Sequence, residues 1–328
     1  MKTRAMNSTT DNTTSTDMRR RIDGIDFIKA IMILLMIAFH LVFIGDTYPY
    51  AKQIVYTFHM PAFLVISGYM LNTDKSARRY LISLLWIFIP YAVMEGGYTF
   101  MASILPIREH IDNLTLAVFA EKILLHPLGP YWYLHTLMLC GMTYFFVIRL
   151  PRLSMLSRFI VLALCYYLLS RQLHIVSLPC ALYFMAGAVL RRCAVPFLSF
   201  FRPSWLAVVP FVLIACMPSW LDKGVPGGMA MVYLSMSICL LMYKFCRDTV
   251  LRTMLYIGRN TLVLLLFSPV FTVLTKVYQP MLLRIEPTGM LFLIVSIVFA
   301  VAGCFAIAAA MDRLRLSRFF FGKDKVLQ

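Results

Sequence analysis

Residues 27–45, FIKAIMILLMIAFHLVFIG, decide the fold. The run is apolar and long enough to cross the ~30 Å hydrocarbon core of a bilayer, yet it carries Lys29 and His40 inside it. Arg19, Arg20 and Arg21 precede it, and it continues too far for the apolar segment of a cleavable signal peptide. A retained first span, entered from the cytoplasm, is the expectation. Outward from that run the whole chain has the same character. Of its 328 residues 61% are hydrophobic and only 14% charged, against ~45–50% and ~25% in soluble domains, and its mean hydropathy is +0.78. A soluble domain and a disordered chain are both excluded on these grounds.

Further apolar stretches lie at about 53–72, 80–104, 128–148, 159–170, 175–190, 204–220, 227–243, 254–275 and 289–311. The fifth and sixth of the ten are short, with Ser170, Arg171, Gln172 and His174 between them, and the charges decide that they are two. With an internal N-terminus, 23 of the 31 Lys and Arg fall in cytoplasmic segments and 7 in external loops, whereas merging these two stretches would turn three basic groups outward. The sequence therefore predicts an all-α, polytopic integral membrane bundle of about ten transmembrane helices with both termini cytoplasmic. Residues 1–20 read as a disordered tail rich in Thr, Ser and Asn, 21–311 as the transmembrane domain, and 312–328 as a basic cytoplasmic tail. The net charge of +16 is read as topology and not as a nucleic-acid surface. The eight cysteines sit almost wholly in apolar runs without paired spacing, so neither a disulfide framework nor a metal site is expected.

Ionisable groups inside hydrocarbon are costly and mark function by default. His40 follows Lys29 by eleven positions, which returns the two to within about 20° of one helical face, roughly 16 Å apart along the axis. Lys29 alone also fits a snorkelling anchor. In the second span His59 lies at a depth similar to that of His40, next to Pro61, whose missing N–H frees a carbonyl at that level. Ser67 and Gly68 read as small packing residues. Glu95 in the third span, and Tyr131, Trp132 and His135 at the start of the fourth, share the outer level; the two aromatic residues also fit an interfacial belt, and Glu95 an inter-helix pair. On the cytoplasmic face Lys75, Arg78, Arg79, Arg191, Arg192, Arg247 and Arg259 converge, which satisfies the positive-inside rule and also suits a phosphate-rich donor such as coenzyme A.

Four segments carry a family resemblance. IDGIDFIKAIMILLMIAFH (22–40), FHMPAFLVISGYML (58–71), GPYWYLHTLM (129–138) and IGRNTLVLLLFSP (257–269) occur in the order in which they occur in the bacterial integral-membrane acyltransferase-3 family, and the chain resembles that family over most of its length. The first has the basic residue, ten intervening residues and histidine of many members. One departure is Ser268, where many relatives carry a histidine ten residues after the glycine of the late motif.

The resemblance implies a multi-pass protein of the bacterial inner (plasma) membrane that moves an acyl group, acetyl from acetyl-CoA, to a hydroxyl of a cell-envelope glycan or lipid-linked saccharide. It carries over His40 as the catalytic histidine and Lys29 as its basic partner; Glu95 is a further catalytic candidate from its place inside the third span. Asp26, Lys29, Lys75, Arg78 and Arg79 are the expected donor-binding groups, and His59, Tyr131, Trp132 and His135 the expected acceptor-binding groups. A polar track along the Lys29–His40 stripe would give a cytosolic thioester access to the buried imidazole. A transporter or flippase for lipid-linked sugars is the rival reading; it too needs many spans and midplane polar groups, but no repeated halves with paired broken helices are present.

Overall fold

The structure, a computed structural model, describes residues 22–104 and 110–328. The expected disordered tail at 1–20 lies outside them. Among the described residues all regular structure is helical. In chain order the α-helices are α1 (Asp23–His40), α2 (Val42–Thr47), α3 (Pro49–Met70), α4 (Ala77–Ile104), α5 (Leu116–Leu124), α6 (Trp132–Val147), α7 (Met155–Arg171) and α8 (Leu178–Arg192). They continue as α9 (Phe197–Phe200), α10 (Val208–Ala215), α11 (Pro226–Phe245), α12 (Asp248–Arg259), α13 (Thr261–Leu274), α14 (Gln279–Ile285), α15 (Met290–Arg313) and α16 (Ser317–Phe321).

Helix α1 is the hub. It packs against α3, α11, α12, α13 and α15, and Ile28, Ala30, Met32 and Ile37 are almost wholly buried, as expected of a helix apolar on all sides and surrounded by other helices. The tightest pair is α3 with α8. A Cβ on Gly68 would lie 2.0 Å from the Phe184 carbonyl oxygen, and one on Gly187 would lie 1.9 Å from that of Val65. Both positions need glycine because the two backbones touch, the close approach by which helices associate without a hydrophobic driving force between them. Helices α4 and α15 turn long apolar faces outward, with Val93, Phe100, Ile294 and Val298 exposed.

Among the described residues three helices, α4, α11 and α15, are each long and apolar enough to cross a membrane, and the pair α12 and α13 is a fourth if the two count as one span. Each of the ten apolar stretches falls on helix, but not always on a straight one. The stretch 254–275, expected as a single span, is bent by 85° at Asn260. Two contacts make the bend. Gly258 is pressed so closely on α1 that a Cβ there would stand 1.8 Å from the Asp26 carbonyl oxygen, and Asn260 turns its amide to the chain end, where its Oδ1 accepts from Gln328 N at 3.0 Å. The stretch 204–220 holds the eight residues of α10 between two 3₁₀ turns, Trp205–Ala207 and Pro218–Trp220.

Residues 312–328, expected as a tail, are docked. Asp312 accepts from Val326 N at 2.8 Å and Leu327 N at 3.2 Å, and Phe321 is buried. A carboxylate collecting backbone N–H groups folds the segment back on the bundle.

Candidate active site

Two chambers lie along the seam of α1, α3 and α13. The inner one, of about 300 Å³, is lined by Lys29 and Ile33 from α1, Phe63, Ser67 and Met70 from α3, and Leu262 and Leu265 from α13. The outer one, of about 510 Å³, is lined by Met36 and His40 from α1, Tyr56, Thr57, His59 and Pro61 from α3, and Leu265 again. Leu265 faces both. The polar track expected from Lys29 to His40 is thus interrupted by an apolar layer of Ile33, Met36, Phe63 and Leu265, because the side chains between the two polar levels pack across the seam.

In the outer chamber the two imidazoles are held alike. The Nδ1 of His40 bonds the Met36 carbonyl at 2.7 Å, and that of His59 the Val55 carbonyl at 2.7 Å. A carbonyl can only accept, so each Nδ1 carries a proton, and in the neutral ring each Nε2 presents a lone pair. The His59 Nε2 is buried and meets no hydrogen-bond partner among the described residues. Between the rings stands Tyr56, 6.1 Å from His40 and 5.1 Å from His59, centroid to centroid. Pro61 leaves the Thr57 carbonyl without its helical donor at the same level. The chamber therefore offers acceptors for hydroxyl hydrogens.

Lys29, the charged group in the lining of the inner chamber, belongs to a set of paired charges. Lys29 Nζ lies 2.7 Å from Asp26 Oδ1, Arg259 Nη2 3.1 Å from Asp23 Oδ1, and Arg259 Nε 3.7 Å from Asp26 Oδ2. The Gly-Arg-Asn motif has a physical reason residue by residue: Gly258 permits the approach to α1, Arg259 neutralises its two carboxylates, and Asn260 anchors the chain end.

The other expected site residues separate. Trp132 lines the outer chamber. Tyr131 is buried and donates its hydroxyl to the Leu266 carbonyl at 2.9 Å, which braces α13. His135 points to the other side of α6, where its Nε2 meets the Leu124 carbonyl at 2.9 Å. Glu95, fully buried, accepts from Leu128 N at 2.7 Å and lines neither chamber, so it orders the entry to α6. Lys75, Arg78 and Arg79 are exposed outside the inner chamber; Lys75 donates to Ser83 Oγ at 3.2 Å. Their loop is clamped by Arg149, which donates to the Thr73 carbonyl at 2.7 Å, and by Arg192, which donates to Thr73 Oγ1 at 2.6 Å.

Sequence reasoning did not select Lys52, Gln53, Asp222 or Lys223, all of which line the outer chamber. Lys52, Tyr56 and His59 follow helical spacing and were legible as one face. Asp222 and Lys223 come from a loop, where no periodicity betrays a position. Among the described residues no three His, Cys, Asp or Glu side chains gather as a metal site would need.

The family described as an acyltransferase domain, acyltransferase-3, matches residues 22–309 of this chain. The match takes in α1, with Lys29 and His40, and α12 with its Gly-Arg-Asn sequence. The chain belongs to that family. No curated protein and no solved structure matches it.

Proposed function

We propose that this membrane acyltransferase moves an acyl group, acetyl from acetyl-CoA, to a hydroxyl of a cell-envelope glycan, with His40 as the general base. Family membership supplies the reaction class. The observation that carries the rest is the His40 ring in the outer chamber, its Nδ1 fixed as donor by the Met36 carbonyl and its Nε2 left as a base. Its Nε2 takes the proton of the acceptor hydroxyl as the oxygen attacks the thioester carbonyl. The carbon–sulfur bond then breaks, and the proton passes to the departing thiolate. An oriented base of this kind contributes typically 10²–10⁴-fold. Attack by Nε2 itself, with transfer in two steps, uses the same free lone pair.

His59 Nε2 and the Thr57 carbonyl orient the acceptor. Lys29, with its charge shared by Asp26, and the basic groups Lys75, Arg78 and Arg79 draw the donor to the inner face, and the thioester end reaches His40 when the layer at Leu265 parts. The bacterial inner membrane is the compartment where a cytosolic donor and an envelope acceptor meet across one bundle.

The test supplies radiolabelled acetyl-CoA to membranes holding the protein or its His40→Ala variant and follows label into base-labile ester on glycan. Label with the unaltered chain and none with the variant is the expected result. Equal label with both would remove His40 from the chemistry.

A further inference from the structure

A third cavity lies between α8 and α11. It is the largest of the three, about 920 Å³, and its walls are almost wholly apolar, with Leu182, Val189, Met229, Val232 and Phe200 among them. Met229 and Phe200 are half exposed on the outside of the bundle, so the cavity is a groove open to the membrane side. It follows α8 from Leu178 to Cys193, the residue that caps the helix, a rise of about 22 Å at 1.5 Å per residue. That is longer than half of a ~30 Å hydrocarbon core, so the groove outreaches the tails of one leaflet.

Its two charged residues lie at one end. Arg171 and Lys223 line it there, and neither forms an ion pair among the described residues. Lys223 also lines the outer chamber, where its Nζ stands 5.4 Å over the ring of Trp132. Its position is set by the backbone: Tyr183 donates its hydroxyl to the Lys223 carbonyl at 2.9 Å, and Gly228 lets the loop lie directly on α11. The neighbouring Asp222 is turned to its own loop, accepting from Gly224 N at 2.6 Å. One cation therefore joins an apolar groove to the chamber that holds His40.

We propose that the groove binds the single long chain of a lipid phosphate, with the phosphate at Lys223 and Arg171 and the headgroup beyond it entering the outer chamber. Charge complementarity and the shared Lys223 carry the assignment, and the groove's length selects one chain longer than a leaflet over the paired tails of a phospholipid. The role of the headgroup as acyl acceptor rests on the function proposed above; binding of the lipid does not.

The test uses the full chain in phosphatidylcholine nanodiscs without acyl donor and reads bound lipid by native mass spectrometry. A long-chain polyprenyl phosphate binds roughly tenfold more tightly than the matching polyprenol, the difference expected of a hydrogen bond to a charged group. Lys223→Ala removes that preference and Lys223→Arg keeps it. Ala186→Trp, on an exposed groove position, displaces both lipids while the protein melts as before. Equal binding of phosphate and alcohol, unchanged binding in both Ala186→Trp and Lys223→Ala, or full competition by phosphatidylglycerol or inorganic phosphate would overturn the proposal. Because no donor is present, failure of acyl transfer leaves this result standing.

Discussion

The chambers around Lys29 and His40 are built from consecutive turns of α1, α3 and α13, yet their polar groups are held in opposite ways. At the inner level two carboxylates and two cations are locked to one another across α1 and α12. At the outer level two imidazoles are tied by one nitrogen to their own helices and keep the second free. The difference follows from charge. An ion drawn partly out of water is costly unless it is paired, so the half-buried Lys29 and Arg259 are matched by Asp26 and Asp23. A neutral imidazole carries no such requirement, and an unsatisfied lone pair on it is a tolerable loss in return for chemistry. The inner level is thus part of the architecture, and the outer level holds the imidazole that the proposed reaction uses.

That contrast can be broken by substitution. The largest effect belongs to His40→Ala, which lowers acyl transfer by roughly 10²–10⁴-fold with little change in thermal unfolding, since the ring edges a cavity. Transfer assays and melting curves on the same preparation check both halves. At the inner level Asp26→Asn does the reverse. It strands the half-buried Lys29 and part of the Arg259 contact, costs about 1.5–3 kcal/mol of stability, and lowers transfer only in proportion to the folded fraction. A normal melting temperature with lost transfer would make Asp26 a chemical group instead. Gly258→Ala follows at about 1–3 kcal/mol, read as a fall in melting temperature, because its Cβ has to push α12 off the Asp26 backbone.

The smallest effect concerns a charge that water reaches. In the loop before α15, the Thr288 hydroxyl and then Leu291 N hold the Glu286 carboxyl down at about 2, below its ordinary 4.5. A depressed carboxylate contributes stability above its unfolded value and loses it as the pH falls through the folded one. Unfolding measured between about pH 5 and pH 2 therefore carries a shallow acid limb that Glu286→Gln flattens: the variant is slightly less stable near neutrality, and the two proteins converge toward pH 2.

Much of the site was legible before any coordinates. Spacing alone put Lys29 and His40 on one face of α1, and depth alone matched His40 with His59, since a helix converts sequence separation directly into height and angle. Glu95 and His135 were misplaced by the same reasoning. Depth put them at the outer level, but which side of α4 and α6 faces the chamber depends on neighbours not encoded in either helix. Glu95 met Leu128 N and His135 met the Leu124 carbonyl, both on the far side of the α6 entry. Lys223 was missed for the complementary reason, as a loop residue has no period to read.

Composition and apolar run length were enough to specify a helical membrane protein, because transfer of backbone and side chains into hydrocarbon is a local property summed along the chain. The Lys29–His40 stripe was equally local. The apolar layer at Leu265, the bend at Asn260, the pairing of Arg259 with Asp23 and Asp26, and the meeting of Lys223 with Trp132 were decided only when distant segments packed. Each depends on which surfaces touch at atomic distance, and no single segment contains that information.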